Sequence, residues 1–327
     1  MVVDLRRVNA LIKPVITLLP KPEVLLQKIT ALNPKFMIST DLFKGFYQTP
    51  ISPKSRHITA FTNPYTGVSY SWKVLTMGLL SSPSAFIQMM GNVFKNKQKY
   101  YYLFTYVDDL LIASGSFDEH LDHLRTTLHM LQLNRLVVNP TKTYVAYEEI
   151  EYLGYKITGD TIQISDSKIK AIRDLPTPKN RKSLQRVLGL LQYFRRHIQN
   201  FSQHTVNMRE LLKKDVKFEW NEKTDKELQY LKEILISNQV MMPLQPNKAI
   251  YVITDGSKVG CGGMIWQLDE NNIPKVCAYV SVVTTPAQKS WTPFNLELYA
   301  IAIILKTFES LLLHQSINIF TDNAVCV

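Results

Sequence analysis

Cysteine is scarce in this chain of 327 residues: there are 3, Cys261, Cys277 and Cys326, all late and at no metal-ligand spacing. That scarcity excludes a disulfide framework and points to a reducing compartment with structural thiols. No secretory leader is expected from Met1-Val2-Val3-Asp4-Leu5-Arg6-Arg7, which contains no apolar core segment. Long apolar runs are absent. The richest stretch, Leu296 to Leu313, is interrupted by Lys306 and Glu309 and reads as a buried amphipathic helix rather than a membrane span. There is no internal repeat or low-complexity tract, and His120, His123, His129, His197 and His204 form no metal set. The expected location is intracellular, cytoplasmic or nuclear, and not secreted.

Acidic residues are in deficit. Against 27 Asp and Glu stand 38 Lys and Arg, a net charge of +11 and a pI of about 9.4. Such a surplus favours a polyanionic partner, nucleic acid or an anionic membrane surface. Without a candidate span the membrane reading weakens. With 46% apolar residues, the chain can bury cores for more than one domain.

Periodicity sketches the elements. Lys35–Asp41, Ile58–Thr62 and Val68–Trp72 are strand-like, and Pro83–Lys95 is helix-like with proline near its start. Tyr106–Ala113 forms one arm of a β-hairpin, followed by a helix from Asp118 to about Leu133 with Leu121, Leu124, Leu128 and Leu131 on one face. Glu151–Ile157 reads as a strand. Ser165 can cap a helix over Asp166–Arg173; further helices are expected over Ser183–Ile198 and Asp225–Ile236, before a proline-containing connector, Met241–Asn247. Then come strands at Tyr251–Asp255, Gly263–Gln267 and Val276–Val280, the Leu296–Leu313 helix and a strand at Ile317–Thr321, an α+β arrangement with a boundary near residues 240–250.

Two sets of acids stand out against this pattern. Asp108 and Asp109 sit inside the apolar run Phe104-Thr105-Tyr106-Val107-Asp108-Asp109-Leu110-Leu111-Ile112, at the bend between strand-like arms. Neighbouring strand residues face opposite ways, so both reach one ion only if a tight turn re-aims them. Asp41 ends another apolar run, Phe36-Met37-Ile38-Ser39-Thr40. Oxygen donors of this kind suit Mg²⁺. Two such ions about 3.5–4 Å apart serve an in-line displacement at phosphorus and would make the crowded negative charge tolerable. The second set is Asp255 ending a strand, Glu297 near a helix start, and Asp322 ending a later strand.

Tyr106-Val107-Asp108-Asp109 followed by Leu110-Leu111-Ile112 resembles the signature turn of reverse transcriptases, and other blocks follow in that family's order. Val3-Asp4-Leu5-Arg6-Arg7-Val8-Asn9 is similar to the fingers motif, with Asp4 and Arg6 as an internal ion pair. Ser39-Thr40-Asp41-Leu42-Phe43-Lys44-Gly45-Phe46-Tyr47-Gln48 is similar to the first metal-aspartate motif, and Gly78-Leu79-Leu80-Ser81-Ser82-Pro83-Ser84-Ala85-Phe86 to the motif beneath template and nucleotide. Tyr152-Leu153-Gly154-Tyr155 resembles the primer-gripping turn. Arg181-Lys182-Ser183-Leu184-Gln185 through Tyr193-Phe194-Arg195-Arg196, then Phe218-Glu219-Trp220, resembles the thumb and connection of gypsy-type (Metaviridae) LTR retrotransposon Pol polyproteins. Met77 departs from the pattern, standing where relatives commonly carry Gln or Phe. The order of Asp255, Glu297 and Asp322, with Gly260–Gly263 and Gln267, resembles the RNase H domain that follows the polymerase in this family.

The resemblance implies an α+β fold: a right-hand polymerase palm with partial fingers, thumb and connection, followed by an incomplete RNase H-like α/β domain. The expected boundaries are 1–160 for partial fingers and palm, 161–245 for thumb and connection, and 246–327 for the RNase H-like domain. It implies an RNA-directed DNA polymerase in which Asp41, Asp108 and Asp109 ligate two Mg²⁺ ions. Phe46 would lie beside the sugar and select deoxynucleotides, with Tyr106, Gly154 and Tyr155 also meeting substrate. Asp255, Glu297 and Asp322 would hold two further Mg²⁺ ions for cleaving the RNA strand of an RNA–DNA hybrid. The implied partners are an RNA template, a DNA primer, the hybrid and dNTPs, with protease and integrase domains elsewhere in the polyprotein, a virus-like particle as one setting, and no membrane. The family's triphosphate-gripping Lys and Arg are expected upstream of the fingers motif, and its fourth RNase H acid beyond Val327. Arg173, Lys179, Arg181, Lys182, Arg186, Arg195 and Arg196 are candidate phosphate contacts, sequence-blind and salt-sensitive. The alternative is a catalytically impaired or domesticated fragment that only binds nucleic acid.

Overall fold

A computed structural model describes residues 3–15, 17, 19, 21–96, 98–237, 241–245 and 248–323. Cys326 and Asn247 lie outside the described residues. Contacts divide the chain into two compact units, before and after the Tyr152–Leu153 peptide bond.

The first unit contains α1 (Arg6–Asn9), α2 (Pro22–Thr30), β1 (Phe36–Asp41), β2 (Phe61–Thr62), β3 (Ser69–Tyr70), α3 (Ser82–Val93), β4 (Leu103–Tyr106), β5 (Asp109–Ser114), α4 (Phe117–Leu133), β6 (Tyr144–Tyr147) and β7 (Glu149–Tyr152). Its main sheet runs β4-β5-β1-β6. Strand β5 is buried from Leu110 to Ser114, so both its faces are covered, and the run reads as continuously apolar rather than alternating. Ser116 caps α4 by accepting the Glu119 N–H at 3.4 Å, and Asp118 and Glu119 in the first turn complement the helix dipole. Pro83 opens α3, whose Phe86 and Met90 join Ile38, Leu42, Tyr102, Leu110, Ile112 and Leu131 in one core. Fully burying a side chain such as Phe86 contributes about 2–3 kcal/mol, which fixes α3 beneath the sheet end that carries the acids.

The second unit holds β8 (Tyr155–Thr158), β9 (Thr161–Ile164), α5 (Asp166–Arg173), α6 (Arg181–Tyr193), α7 (Val206–Glu210), α8 (Glu222–Ile236), β10 (Ile250–Gly256), β11 (Gly260–Leu268), β12 (Pro274–Val283), α9 (Pro293–Thr307), α10 (Glu309–Leu312) and β13 (Ile317–Phe320). Helices α6 and α8 each begin with an asparagine capping box, Asn180 with Ser183 and Asn221 with Thr224. The C-terminal sheet runs β12-β11-β10-β13, with β13 parallel to β10. Parallel neighbours need a crossover, and α9 supplies it, packing Ala300 and Ile304 onto the sheet. Cys261 and Cys277 are buried free thiols, and burial pushes Cys277 up to about 12.

Several expected elements come out differently. The Ser183–Ile198 helix starts at Arg181 and ends at Tyr193, before a separate 3₁₀ turn, Arg195–His197, and the Val68–Trp72 strand is only Ser69–Tyr70. Glu151–Ile157 is not one strand: the left-handed pair Leu153 (φ 51°) and Gly154 (φ 78°) turns the chain between β7 and β8. Pro53 opens a 3₁₀ helix, Pro53–Thr59, that takes the first residues of the expected Ile58–Thr62 strand. The Leu296–Leu313 helix begins earlier, at Pro293 behind the capping Thr292, and breaks at Phe308 before α10. Ser165 precedes α5 but makes no side-chain cap. Among the described residues, no helix is long and apolar enough to cross a membrane.

Candidate active sites

Asp41 is the last residue of β1, and the antiparallel register places it opposite Asp109, the first residue of β5. Asp109 in turn faces Tyr106 at the end of β4. Val107 and Asp108 make the turn between β4 and β5, with Val107 at φ 55°, a left-handed conformation that a β-branched residue adopts only under strain of about 1–3 kcal/mol. The Leu42 N–H donates to the Asp108 carbonyl at 3.1 Å, pinning the turn to the end of β1. Gly45 leaves the room this requires: a Cβ there would lie 3.2 Å from the Asp108 Cβ and 3.1 Å from the Phe86 ring. Asp41, Asp108 and Asp109 therefore converge on one end of one sheet.

Their electrostatics confirm the crowding. Burial, then the charges of Asp108 and Asp41, push the Asp109 carboxyl up to about 6, while Lys142 works in the opposite direction. Lys142 Nζ donates to Asp41 Oδ2 at 2.9 Å. The other oxygen, Asp41 Oδ1, is buried without a hydrogen-bond partner. Nothing in the spacing of the sequence marks Lys142, which lies 101 residues from Asp41.

Of the residues expected at substrate, Phe46 sits half-buried in the 3₁₀ turn Gly45–Gln48, its ring edge-on to Phe86 at 5.4 Å. Tyr106 is half-buried beside Asp109. In the second unit, Gly154 lies under the Lys168 stem, and the Leu153 carbonyl accepts the Tyr193 hydroxyl at 2.6 Å. Tyr155 is 3% exposed, its ring packed against Tyr193, Phe194 and His197 at 5.9, 5.6 and 5.6 Å. Its side chain belongs to the core and anchors the turn from within.

The second set assembles on the C-terminal sheet. Asp255 lies near the end of β10, and Asp322 follows β13, the parallel neighbour of β10. Glu297, in the second turn of α9, is 5% exposed. Its Oε1 accepts the Gly256 N–H at 2.8 Å and its Oε2 accepts the Thr321 hydroxyl at 3.3 Å, so one carboxylate ties both strand ends to the helix. Gly256 permits that approach, because a Cβ there would fall 2.5 Å from the Leu296 carbonyl and 2.8 Å from the Glu297 nitrogen. Asp255 and Asp322 are exposed at the same edge. Burial, then opposition from a Ser257 hydrogen bond, then the charges of Glu297 and Asp255 set the raised Cys261 thiol, which places it in the field of both acids.

Among the described residues, no group of three or more His, Cys, Asp or Glu side chains is arranged to hold a metal ion. Asp41 faces Lys142, and Glu297 faces Gly256 and Thr321. The first set nevertheless has the donor chemistry of a Mg²⁺ site: carboxylate oxygens only, one of them unpartnered, another already matched to a cationic amine. Of the expected phosphate contacts, Arg173, Lys179, Lys182, Arg186 and Arg195 are exposed. Arg181 and Arg196, also expected at phosphate, are instead engaged within the protein. Arg181 donates to the carbonyls of Leu211, Lys214 and Val216, and Arg196 is 8% exposed with its guanidinium 4.6 Å above the Phe308 ring.

Residues 1–157 match the family model described as "Reverse transcriptase (RNA-dependent DNA polymerase)", and residues 220–319 match "RNase H-like domain found in reverse transcriptase". The Transposon Tf2-3 polyprotein of Schizosaccharomyces pombe is 30% identical over 306 residues, covering 94% of this chain and 23% of the polyprotein. The Tf2-7 polyprotein of the same organism is 29% identical over the same share. The chain thus spans about a quarter of the length of the curated relatives it matches. A foamy viral protease-reverse transcriptase in complex with an RNA/DNA hybrid superposes with a TM-score of 0.81 at 25% identity, over 98% of this chain and 43% of that one. Another form of the viral protein, in complex with double-stranded DNA, gives a TM-score of 0.81 at 25% identity, over 98% of this chain and 55% of that one.

Proposed function

The chain carries a reverse transcriptase domain followed by an RNase H-like domain, and from that premise we propose that it copies RNA into DNA as one segment of a longer gypsy-type LTR retrotransposon polyprotein. The fold is a right-hand polymerase palm with partial fingers, thumb and connection, joined to an RNase H-like α/β domain. The substrates would be an RNA template, a DNA primer and dNTPs, with protease and integrase domains elsewhere in the polyprotein.

The observation that carries this reading is the convergence of Asp41, Asp108 and Asp109, with one buried carboxylate oxygen left unpartnered. These residues would hold two Mg²⁺ ions. When bound, the ions supply a lowered pKa at the primer 3′-hydroxyl and neutralisation of the leaving pyrophosphate. The chain's own residues do the rest. The strained Val107 turn would aim the Asp108 carboxylate to the side on which Asp41 and Asp109 lie. Phe46, held by Phe86, would stand against the sugar and refuse a 2′-hydroxyl. The 3′-hydroxyl gives up its proton to solvent, its oxygen bonds to the α-phosphorus, and the α–β phosphoanhydride bond breaks to release pyrophosphate. The exposed basic residues of α5 and α6 would hold the duplex by its phosphates. Asp255, Glu297 and Asp322 would bind the ions for hydrolysis of the RNA strand, Glu297 setting the spacing of the two strand ends.

Extension of a DNA primer on an RNA template with Mg²⁺ tests the proposal, parent against Asp108→Asn. The parent should add nucleotides, and the variant should lose at least two orders of magnitude in rate, as removal of a charge-stabilising catalytic group does. Equal rates would overturn it. Salt-sensitive binding with no extension by either protein would favour the nucleic-acid-binding alternative.

A further inference from the structure

Lys142 is aimed at the acidic site by a turn built for the purpose. Asn139 donates its N–H to the Asp41 carbonyl at 2.8 Å, locking the turn to the end of β1. The Asn139 side-chain oxygen accepts the Thr141 N–H and hydroxyl at 3.3 and 2.8 Å. Thr143 donates its hydroxyl to the Asn139 carbonyl at 2.7 Å, and its Oγ1 lies 2.8 Å from that of Thr40 on β1. The 3₁₀ turn Pro140–Lys142 between these fastenings has little freedom left.

At its tip the amine touches Asp41 Oδ2 at 2.9 Å and also feels the charges of Asp109 and Asp108. It therefore stands where positive charge is most wanted, a point charge on a flexible four-carbon stem. The Lys142 side chain is 65% exposed whereas that of Asp41 is 19% exposed. The acid is fixed and the base is free to leave, because a solvated ammonium loses little on withdrawing into water.

We propose that Lys142 is the resident counter-ion of the three-acid site and competes with a divalent cation for Asp41. In the ion-free protein it neutralises part of the charge that β1 and the Val107–Asp108 turn press together. An incoming ion takes Asp41 Oδ2 only as the amine withdraws, so Lys142 sets the concentration at which the site fills. This rests on the reading of Asp41, Asp108 and Asp109 as the cation-holding set. It adds a residue whose effect on affinity is opposite in sign to theirs.

Mn²⁺ binding to the full chain without nucleic acid, read by electron paramagnetic resonance, separates these roles. Lys142→Met should bind Mn²⁺ about fivefold more tightly than the parent, the upper end of an exposed ion pair's strength. Lys142→Arg keeps the charge and should bind no more tightly than the parent. Without metal, Lys142→Met should melt below the parent, and saturating Mn²⁺ should remove the difference. Asp41→Asn should lose the site in either background. Equal or weaker binding by Lys142→Met, with the site still lost in Asp41→Asn, would overturn the counter-ion role and leave the three-acid reading standing. Full binding by Asp41→Asn would sink both.

Discussion

Asp109 faces Asp41 across the β1–β5 ladder and follows Asp108 directly, so its ionised form is resisted from two sides. Burial and the charges of Asp108 and Asp41 push its carboxyl up to about 6, against 3.8 for an unperturbed aspartate. A difference of roughly two units corresponds to about 3 kcal/mol. The group is only half-buried, and solvent screening reduces this to about 1–2 kcal/mol. The sign follows from linkage. The folded state holds the proton more tightly, so the favourable contribution is present below pH 3.8 and is lost as pH rises through 6. Asp109→Asn should therefore stabilise the ion-free first unit by about 1–2 kcal/mol at pH 8 and leave it nearly unchanged near pH 4. Urea unfolding in EDTA, followed by hydrogen exchange of the β1 and β5 peptides, reads that unit alone. Excess Mg²⁺ should reverse the order, because asparagine supplies no carboxylate. A variant no more stable than the parent at pH 8, or equally stabilised at both pH values, would refute the crowding.

In the second unit, burial and then the Arg196 charge hold His197 down to about 4, so the unfolded chain takes the proton first and stability falls as pH drops from 6.5 to 4. The loss should reach about 3 kcal/mol, and urea midpoints of His197→Phe should lack that slope. Gly256→Ala sets a methyl 2.5 Å from the Leu296 carbonyl, where backbone has to yield. A loss of about 3 kcal/mol is expected, with a lowered melting temperature by calorimetry; a change within about 0.5 kcal/mol would show that the α9–β10 approach is looser. Lys182 and Arg186 are exposed one turn apart on α6. Replacing both with alanine should flatten the log–log salt dependence of hybrid-duplex binding by about 1.8, and an unchanged slope would mark them as an ordinary solvated face.

The acids were legible in the sequence because each interrupts or ends an apolar run, and a carboxylate in such a run needs compensation. Asp41 and Asp109 become partners through a ladder that simple alternation does not specify. The division of Glu151–Ile157 was hidden because Leu153 gives no sign of the left-handed backbone it adopts beside Gly154. Pro53 carried a helical signal upstream of a run that looked like strand. Basic residues were legible only as charge. Arg181 and Arg196 look like their neighbours in sequence, yet one fastens a loop by its carbonyls and the other covers an aromatic ring. Lys142 was out of reach for the same reason: its partner is chosen by the turn that Asn139 and Thr143 fasten to β1.

The most direct test is anomalous scattering from crystals grown with Mn²⁺, a primer–template and a non-hydrolysable dNTP. Two peaks should lie within about 2.2 Å of carboxylate oxygens from Asp41, Asp108 and Asp109, with the Lys142 amine no longer on Asp41. Peaks elsewhere, or a retained Lys142–Asp41 pair with no ion beside it, would contradict the two-ion centre.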